Sequence, residues 1–157
     1  MAAQDLAHHK AWGDMTADLL QRLGINVDYA SIDFGTVVAR RAQKSPPGQG
    51  GWQMFHTSGR GVDWINPALH KQIRANGDDA FFGWPNSPQV EVEVAAWFDA
   101  KTLDEEKTIV RRLNKAALDH VVYAPIGFYL EHQGWRKNVT GIVPGPLPFF
   151  WGVSKTA

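Results

Sequence analysis

The sequence predicts a mixed α/β fold on two observations. In some segments apolar residues recur at three- and four-residue spacing, as on one face of a helix, and in others they alternate with polar residues, as in a half-buried strand. Segments of the two kinds are interspersed along the chain, from residues 4–23 to residues 149–153. Because 157 residues can enclose one sizeable core and are too few for two, we predict a single domain over residues 1–157.

The first third of the chain predicts a helix, a strand and a second helix. Residues 4–23 are an amphipathic helix, and Gly24 ends it, since glycine readily adopts the left-handed conformation found after helices. A strand follows at residues 25–29, and Asp33 caps a helix that runs to about residue 42. The apolar face of the first helix is expected to comprise Trp12, Met15, Leu19, Leu20 and Leu23.

The stretch around which the chain is organised is residues 52–67. Residues 52–57 are predicted to form a strand, so that even- and odd-numbered side chains face opposite sides. The pattern breaks in a loop with two glycines, and Asn66-Pro67 then begins a helix that runs to about residue 75. A strand, a glycine-containing loop and a helix start are a common way to present side chains to a ligand.

Two more helices are predicted between residues 87 and 120. Ser87-Pro88 is a typical cap and first-turn pair. The valines of residues 90–94 also alternate as in a strand, but Trp97 continues the helical period and favours a helix. Thr102 and Glu105 form a capping box at the start of the second helix. The residues predicted to face inward from that helix are Ile109, Leu113, Ala116 and Ala117.

The remaining residues predict strands. Residues 121–130 are β-branched and aromatic, and because Pro125 has no N–H we expect an edge strand or a strand that borders a ligand there. Two further strands, at residues 138–143 and 149–153, flank a proline-rich bend.

Composition and motifs exclude several classes of function. Sixteen basic residues balance sixteen acidic ones, so no electrostatic feature favours a nucleic acid as partner. The absence of cysteine excludes disulfides, thiolate metal ligands and a cysteine nucleophile. Metal-binding histidine spacings and phosphate-loop motifs are also missing, so we predict no metal and no cofactor. The N-terminus lacks the basic-then-apolar order of a secretory signal.

The candidate binding residues lie in and beside the central loop. Arg60, Asp63 and Trp64 supply a base, an acid and an indole, and His56 precedes them. Residues 81–85 hold three aromatic side chains around a glycine, and we expect Trp64, Phe82 or Trp84 to form an aromatic half-cleft beside Asp63. The alternative is that Asp63 caps a turn and that the indoles belong to the core.

Several segments, taken in order, resemble the peptide-binding (family 5) class of extracellular solute-binding proteins that serve ABC importers. Two of them are Gly-Gly-Trp-Gln-Met-Phe-His-Thr at residues 50–57 and Ala-Asn-Gly-Asp-Asp-Ala-Phe-Phe-Gly-Trp-Pro at residues 75–85. The others are residues 23–28, 34–41, 96–100, 122–127 and 135–141. No single segment decides the matter, but the ordered set is specific.

The resemblance implies the C-terminal lobe of a type II periplasmic-binding-protein fold, a mixed sheet flanked by helices. Members of the family close two lobes over the ligand, so the chain is expected to lack the N-terminal lobe. The resemblance also implies a binding role without catalysis, a peptide or similar small solute as ligand, permease subunits as partners, and a periplasmic location.

One binding role is implied for a single residue. In peptide-binding members an aspartate in an Asp-x-x-x-Pro stretch accepts the ammonium group of the ligand, and Asp63-Trp-Ile-Asn-Pro67 matches that spacing. Some members carry an arginine six residues earlier, where this chain has Thr57. This departure weakens the case for a particular peptide as the ligand.

Two other functions remain open at this stage. The chain is a truncated lobe that only self-associates or binds a partner chain, in which case apolar surface and strand edges drive a homo-oligomer. Alternatively, His56 and Asp63 form an acid-base pair in an enzyme, which requires the two side chains within hydrogen-bond reach.

Overall fold

The computed structural model describes residues 2–4 and 7–156, and for residues 2–4 it describes the backbone alone. The chain divides into two compact units, Met1–Ser58 and Gly59–Ala157. The single domain over residues 1–157 stays a prediction.

The first unit is built on two parallel strands joined by a helix. Strand β1 (Ala2–Gln4) pairs with β2 (Ala30–Ile32) in the register Ala2↔Ala30, Ala3↔Ser31 and Gln4↔Ile32. Parallel neighbours need a long crossover, and helix α1 (Ala7–Arg22) supplies it. Helix α2 (Phe34–Arg40) follows β2, and the side chain of Asp33 caps it by accepting a hydrogen bond from Thr36 N at 3.0 Å.

The buried face of α1 differs from the predicted one. The helix buries His9, Gly13 and Ala17, which lie four residues apart on one face. The larger apolar residues that were expected inside are mainly exposed, with Met15 at 69% and Leu23 at 67%. Small side chains let a helix approach its neighbours closely, so the face with glycine and alanine packs inward.

The strand predicted at residues 25–29 is wrong, and the reason lies in how α1 ends. Gly24 has φ +81°, and its N–H donates to Gln21 O at 2.9 Å. The N–H of Ile25 donates to Leu20 O at 3.0 Å. These are the two hydrogen bonds of a Schellman motif, so residue 25 still belongs to the helix terminus and the strand begins only at Ala30.

The strand predicted at residues 52–57 is also wrong, although the segment is not helical. Only Phe55 has a bridge partner, and the rest is irregular. The rings of Trp52 and Phe55 meet edge to face at 4.6 Å, which strict alternation would prevent. Trp52 Nε1 donates to Arg41 O at 3.0 Å, so a side-chain bond to the end of α2 fixes this segment.

The second unit has a two-helix core that matches the prediction. Helix α3 (Pro88–Asp99) begins after Ser87, and helix α4 (Leu103–Asp119) begins after Thr102. The capping box of α4 is present, with Glu105 N donating to Thr102 Oγ1 and Thr102 N donating to the Glu105 carboxylate, both at 3.2 Å. The core buried between these helices and the preceding loop comprises Ile73, Ala75, Val90, Val94, Leu113 and Ala117.

The predicted helix over residues 67–75 is wrong. Asn66 does cap a turn, since its side-chain oxygen accepts a hydrogen bond from Leu69 N at 3.1 Å. The chain then leaves the turn at His70 and continues as a short 3-10 helix, Lys71–Ile73. Ile73 is 3% exposed, so burial in the core overrides the local tendency to continue the helix.

The C-terminal strands match the prediction only in part, since one short strand, Val139–Thr140, lies within the predicted segment 138–143. Residues 121–130 are irregular rather than a strand. Strand β3 (Val139–Thr140) pairs antiparallel with β4 (Ser154–Lys155), so the closing strand begins after the predicted 149–153. A turn at Gly152, with φ +74°, delays it, and residue 149 makes only one bridge, to Val143.

The α/β class is therefore confirmed in its coarse form, helices with small sheets. Within the described residues the strands form two separate two-stranded sheets rather than one mixed sheet flanked by helices. The type II lobe stays a prediction. In the described part of the chain, no helix combines the length and apolar character needed to cross a membrane.

Candidate functional site

Asp63 sits on a one-turn 3-10 helix, Gly61–Trp64, at the start of the second unit. Its Oδ2 accepts a hydrogen bond from Arg60 N at 3.2 Å, and its own N–H donates to Arg60 O at 2.9 Å. The side chain therefore caps the turn, as the alternative interpretation of the sequence expected. The residue is nevertheless exposed, and among the residues described the other carboxylate oxygen receives no hydrogen bond.

Trp64, the next residue, packs into a cluster of three rings. Its indole stacks on the His70 imidazole with centroids 4.9 Å apart and planes 16° from parallel. Tyr123 meets both rings edge-on, at 6.0 Å from Trp64 and 5.4 Å from His70. We call Trp64, His70 and Tyr123 the aromatic platform. It lies directly beside the residue that carries the exposed carboxylate.

The turn after the 3-10 helix explains how His70 reaches Trp64. The side-chain oxygen of Asn66 accepts from Leu69 N, and its backbone oxygen accepts from His70 N at 3.1 Å. These bonds fold the chain back within a few residues, so His70 lies under the indole. Sequence reasoning missed His70 because it placed residues 67–75 in a helix, and the only available signal was the cap at Asn66.

The aromatic platform carries two buried polar atoms that lack hydrogen bonds. Within the described residues, Trp64 Nε1 and His70 Nε2 have no partner. His70 is 8% exposed, and burial lowers the pKa of its imidazole. Burial likewise raises the pKa of the Tyr123 hydroxyl. Both side chains are therefore neutral at pH 7, so the stack is one of uncharged rings.

Gly59 is required beside the aromatic platform. A Cβ added to this residue would lie 2.5 Å from Trp64 Nε1, closer than any non-bonded contact allows. The loop backbone therefore covers the edge of the indole. Gly59 thus permits a close approach between the loop backbone and the ring.

Trp84 lies in the loop of residues 81–85 and is not one of the three residues of the aromatic platform. Trp84 N donates to Phe81 O at 2.8 Å, and Trp84 has φ +48°, which is uncommon for a bulky residue. Gly83 before it has φ +111°. The side chain is partly buried. That Trp84 lines a half-cleft with Asp63 stays a prediction.

His56 belongs to the first unit and is buried there. Its Nε2 lies 3.0 Å from Thr16 Oγ1 on α1, and burial lowers its pKa. His9, on the same helix, is 2% exposed and packs against Trp12 with ring centroids 5.1 Å apart. The contact with Thr16 gives His56 a structural role in its own unit, and its role in ligand binding stays a prediction.

No metal centre is evident in the part of the chain that the structure describes. Residues 2–4 and 7–156 contain no group of three or more histidine, aspartate or glutamate side chains placed to hold one ion. The chemical resources of the site are therefore a carboxylate, the backbone beside it and the neighbouring rings.

Comparison with known proteins supplies the broader context. No protein-family profile matches the chain. A curated protein aligns with it over 155 residues, 99% of this chain, at 30% identity. This chain is similar to a periplasmic peptide-binding protein. The relative is the probable peptide ABC transporter periplasmic-binding protein y4tO of Sinorhizobium fredii.

The similarity confirms the resemblance found in the sequence. The chain spans 29% of the length of this curated relative, so it corresponds to one portion of such a protein. The relative is named as the binding protein of a transporter rather than as an enzyme.

Proposed function

We propose that the chain supplies part of the ligand site of a peptide-binding protein of an ABC importer, with Asp63 accepting the ammonium group of the ligand. The observation that carries the proposal is the exposed Asp63 carboxylate, fixed by one oxygen to Arg60 N at 3.2 Å and open at the other. The relative, a probable peptide ABC transporter periplasmic-binding protein, supports the solute-binding part of this proposal.

The chemistry of this contact is a charge-assisted hydrogen bond. An ammonium donor and a carboxylate acceptor form a bond worth about 1.5 to 3 kcal/mol. Arg60 donates its backbone N–H to this carboxylate, and its side chain is proposed to favour a ligand that also carries an acidic group. We propose no catalytic step. A periplasmic location and permease subunits as partners belong to the same proposal.

The affinity of this portion alone is expected to be low. A complete site buries about 70 to 90% of a small ligand, and the chain matches 29% of its relative. NMR titration detects such weak binding. The probes are the tripeptide Ala-Ala-Ala and its N-acetylated form, added to the uniformly labelled 157-residue protein.

We expect Asp63→Asn to weaken binding of the free-amine tripeptide by about tenfold to a hundredfold, the equivalent of one charged hydrogen bond. The acetylated peptide, which has no ammonium, should bind weakly to both proteins. Asp99→Asn is the matched control, because Asp99 is an exposed acid at the end of α3. Equal affinity of wild type and Asp63→Asn for the free-amine peptide would disprove the role of Asp63.

A second candidate function is self-association, favoured by exposed apolar side chains in the second unit. Phe128 is 93% exposed, Leu130 81%, and Trp151 80%. Exposed apolar surface of this kind is common where another chain binds. In this candidate the same portion of the chain acts as an interaction module and carries no ligand.

We expect light scattering to show a mass rising with concentration from 17.5 kDa towards twice that value if this candidate is right. The double variant Phe128→Ser with Leu130→Ser should shift the rise to at least tenfold higher concentration, because about 2 to 3 kcal/mol of apolar contact is lost per large side chain. Leu103→Ser, at a residue 63% exposed on α4, is the control. A constant mass at all concentrations rules the candidate out.

A further inference from the structure

We propose that His70 and Tyr123 are positioning residues, which hold the Asp63 carboxylate in place by clamping the neighbouring Trp64 ring. This inference rests on the proposed function of Asp63 for its consequence in binding. The clamp itself is a property of the described contacts and can be tested without a ligand.

Asp63 is linked covalently to the residue that carries the clamped ring. Asp63 and Trp64 are consecutive residues of the one-turn 3-10 helix Gly61–Trp64. Such a turn has few hydrogen bonds of its own and is only marginally stable in isolation. The backbone of Asp63 is therefore as well ordered as the ring that anchors the end of the turn.

The Trp64 ring is anchored by two neighbouring rings. Trp64 stacks on His70 at 4.9 Å, and Tyr123 closes the edge of both rings. Aromatic pairs of this geometry stabilise each other beyond the effect of the area that they bury. These ring contacts stabilise the turn, which has few hydrogen bonds of its own.

His70 and Tyr123 are themselves connected to the hydrophobic core. His70 leads directly into Lys71–Ile73, and Ile73 is 3% exposed in the hydrophobic core. Tyr123 packs against the same core. The core therefore holds His70 and Tyr123 in place. These two residues hold the Trp64 ring, and Trp64 holds the adjoining Asp63.

The burial of unpaired ring nitrogens also indicates a site that is not optimised for stability alone. His70 Nε2 has no hydrogen-bond partner among the described residues, and an apolar ring would avoid that cost. Residues that accept such a cost are often found where geometry serves function.

The test measures amide hydrogen exchange at Arg60, whose N–H donates to Asp63 Oδ2. We expect His70→Gln, which removes the ring, to accelerate this exchange by about five- to tenfold, matching the loss of one aromatic stack. His70→Phe, which keeps a ring, should keep the exchange rate of the Arg60 amide within about twofold of the wild-type rate. The internal control is the Thr102 amide, which is bonded to Glu105 in the capping box of α4 and is not expected to change.

The indole resonance of Trp64 provides a second readout. Because burial lowers the pKa of His70, protonation of the stacked imidazole occurs below its ordinary value of 6.5. The Nε1–H signal of Trp64 should therefore shift in the acid range in the wild type and stay unshifted in His70→Phe.

The outcomes separate the two proposals. Unchanged exchange at Arg60 in His70→Gln, or equal acceleration in His70→Gln and His70→Phe, overturns the positioning role. If His70→Gln also loses protection at the Thr102 amide, that variant is unfolded more widely and His70→Phe decides. Protection retained at the Arg60 amide in His70→Phe supports the clamp, and protection lost there overturns it. Absence of Ala-Ala-Ala binding to the wild type counts against the proposed function only, because the exchange result does not depend on a peptide.

Discussion

Leu113→Ala is expected to lower the free energy of unfolding of the second unit by about 3 to 4 kcal/mol, within the range measured for buried leucines replaced by alanine. Leu113 is fully buried on α4, where it packs with Val90 and Val94 of α3. The substitution removes apolar contacts and leaves a cavity that the two helices fill only partly. A loss of this size is a large share of the 5 to 15 kcal/mol or so that stabilises a typical domain.

The measurement is urea denaturation followed by far-ultraviolet circular dichroism. Leu118→Ala is the matched control, since Leu118 lies on the same helix and is 58% exposed. The control should change the free energy of unfolding by no more than about 0.5 kcal/mol. Similar losses for the two variants would show that α4 does not bury the face assigned to it.

Acidification is expected to destabilise the first unit through His9. The side chain is 2% exposed, and neither ring nitrogen has a hydrogen-bond partner among the described residues. Burial, followed by the charges of His8 and His56, lowers the pKa of His9 from 6.5 to about 4. The folded state therefore resists a proton that the unfolded chain accepts readily.

The sign follows from proton counting. Between about pH 6.5 and 4 the unfolded state binds more protons at His9, so stability falls as the pH falls through this window. This loss of stability is absent above the pKa of His9 in the unfolded chain. It reaches its full size of about 3 kcal/mol near and below the pKa in the folded state, at 1.36 kcal/mol per pKa unit. Other groups titrate in the same range, so the comparison must be made between variants.

His9→Phe removes the titrating group while keeping a ring in the buried position. We expect the difference in unfolding free energy between this variant and the wild type to grow as the pH is lowered from 7.5 to 4.5. His132→Gln, at an exposed histidine, should follow the wild type at every pH. Parallel pH profiles for wild type and His9→Phe, or an NMR titration midpoint of His9 near 6.5, would contradict the burial argument.

Asp63 illustrates how an interpretation with two alternatives resolves in a structure. The cap at Arg60 agrees with the structural alternative, while the exposure of the carboxylate agrees with the binding one. A carboxylate has two oxygens, so one can order the turn while the other stays available. The two roles support each other, because a ligand contact costs less entropy when the carboxylate is already held.

The sequence by itself determined the features that depend on residues within one helical turn of each other. Gly24 ends α1, and Ser87 and Thr102 begin α3 and α4. In each case a backbone group at a helix end needs a partner or a special conformation, and a residue three or four positions away supplies it. The inward face of α4 was equally predictable, since its apolar residues repeat with the helical period.

Only the tertiary structure decided which apolar segments became strands and which rings met. Residues 52–57 and 121–130 have strand-like composition, but a strand exists only where another segment offers a ladder of backbone hydrogen bonds. The exposed apolar face of α1 and the contact of Trp64 with Tyr123 have the same origin. Each depends on the shape of distant partners, and local periodicity carries no information about that shape.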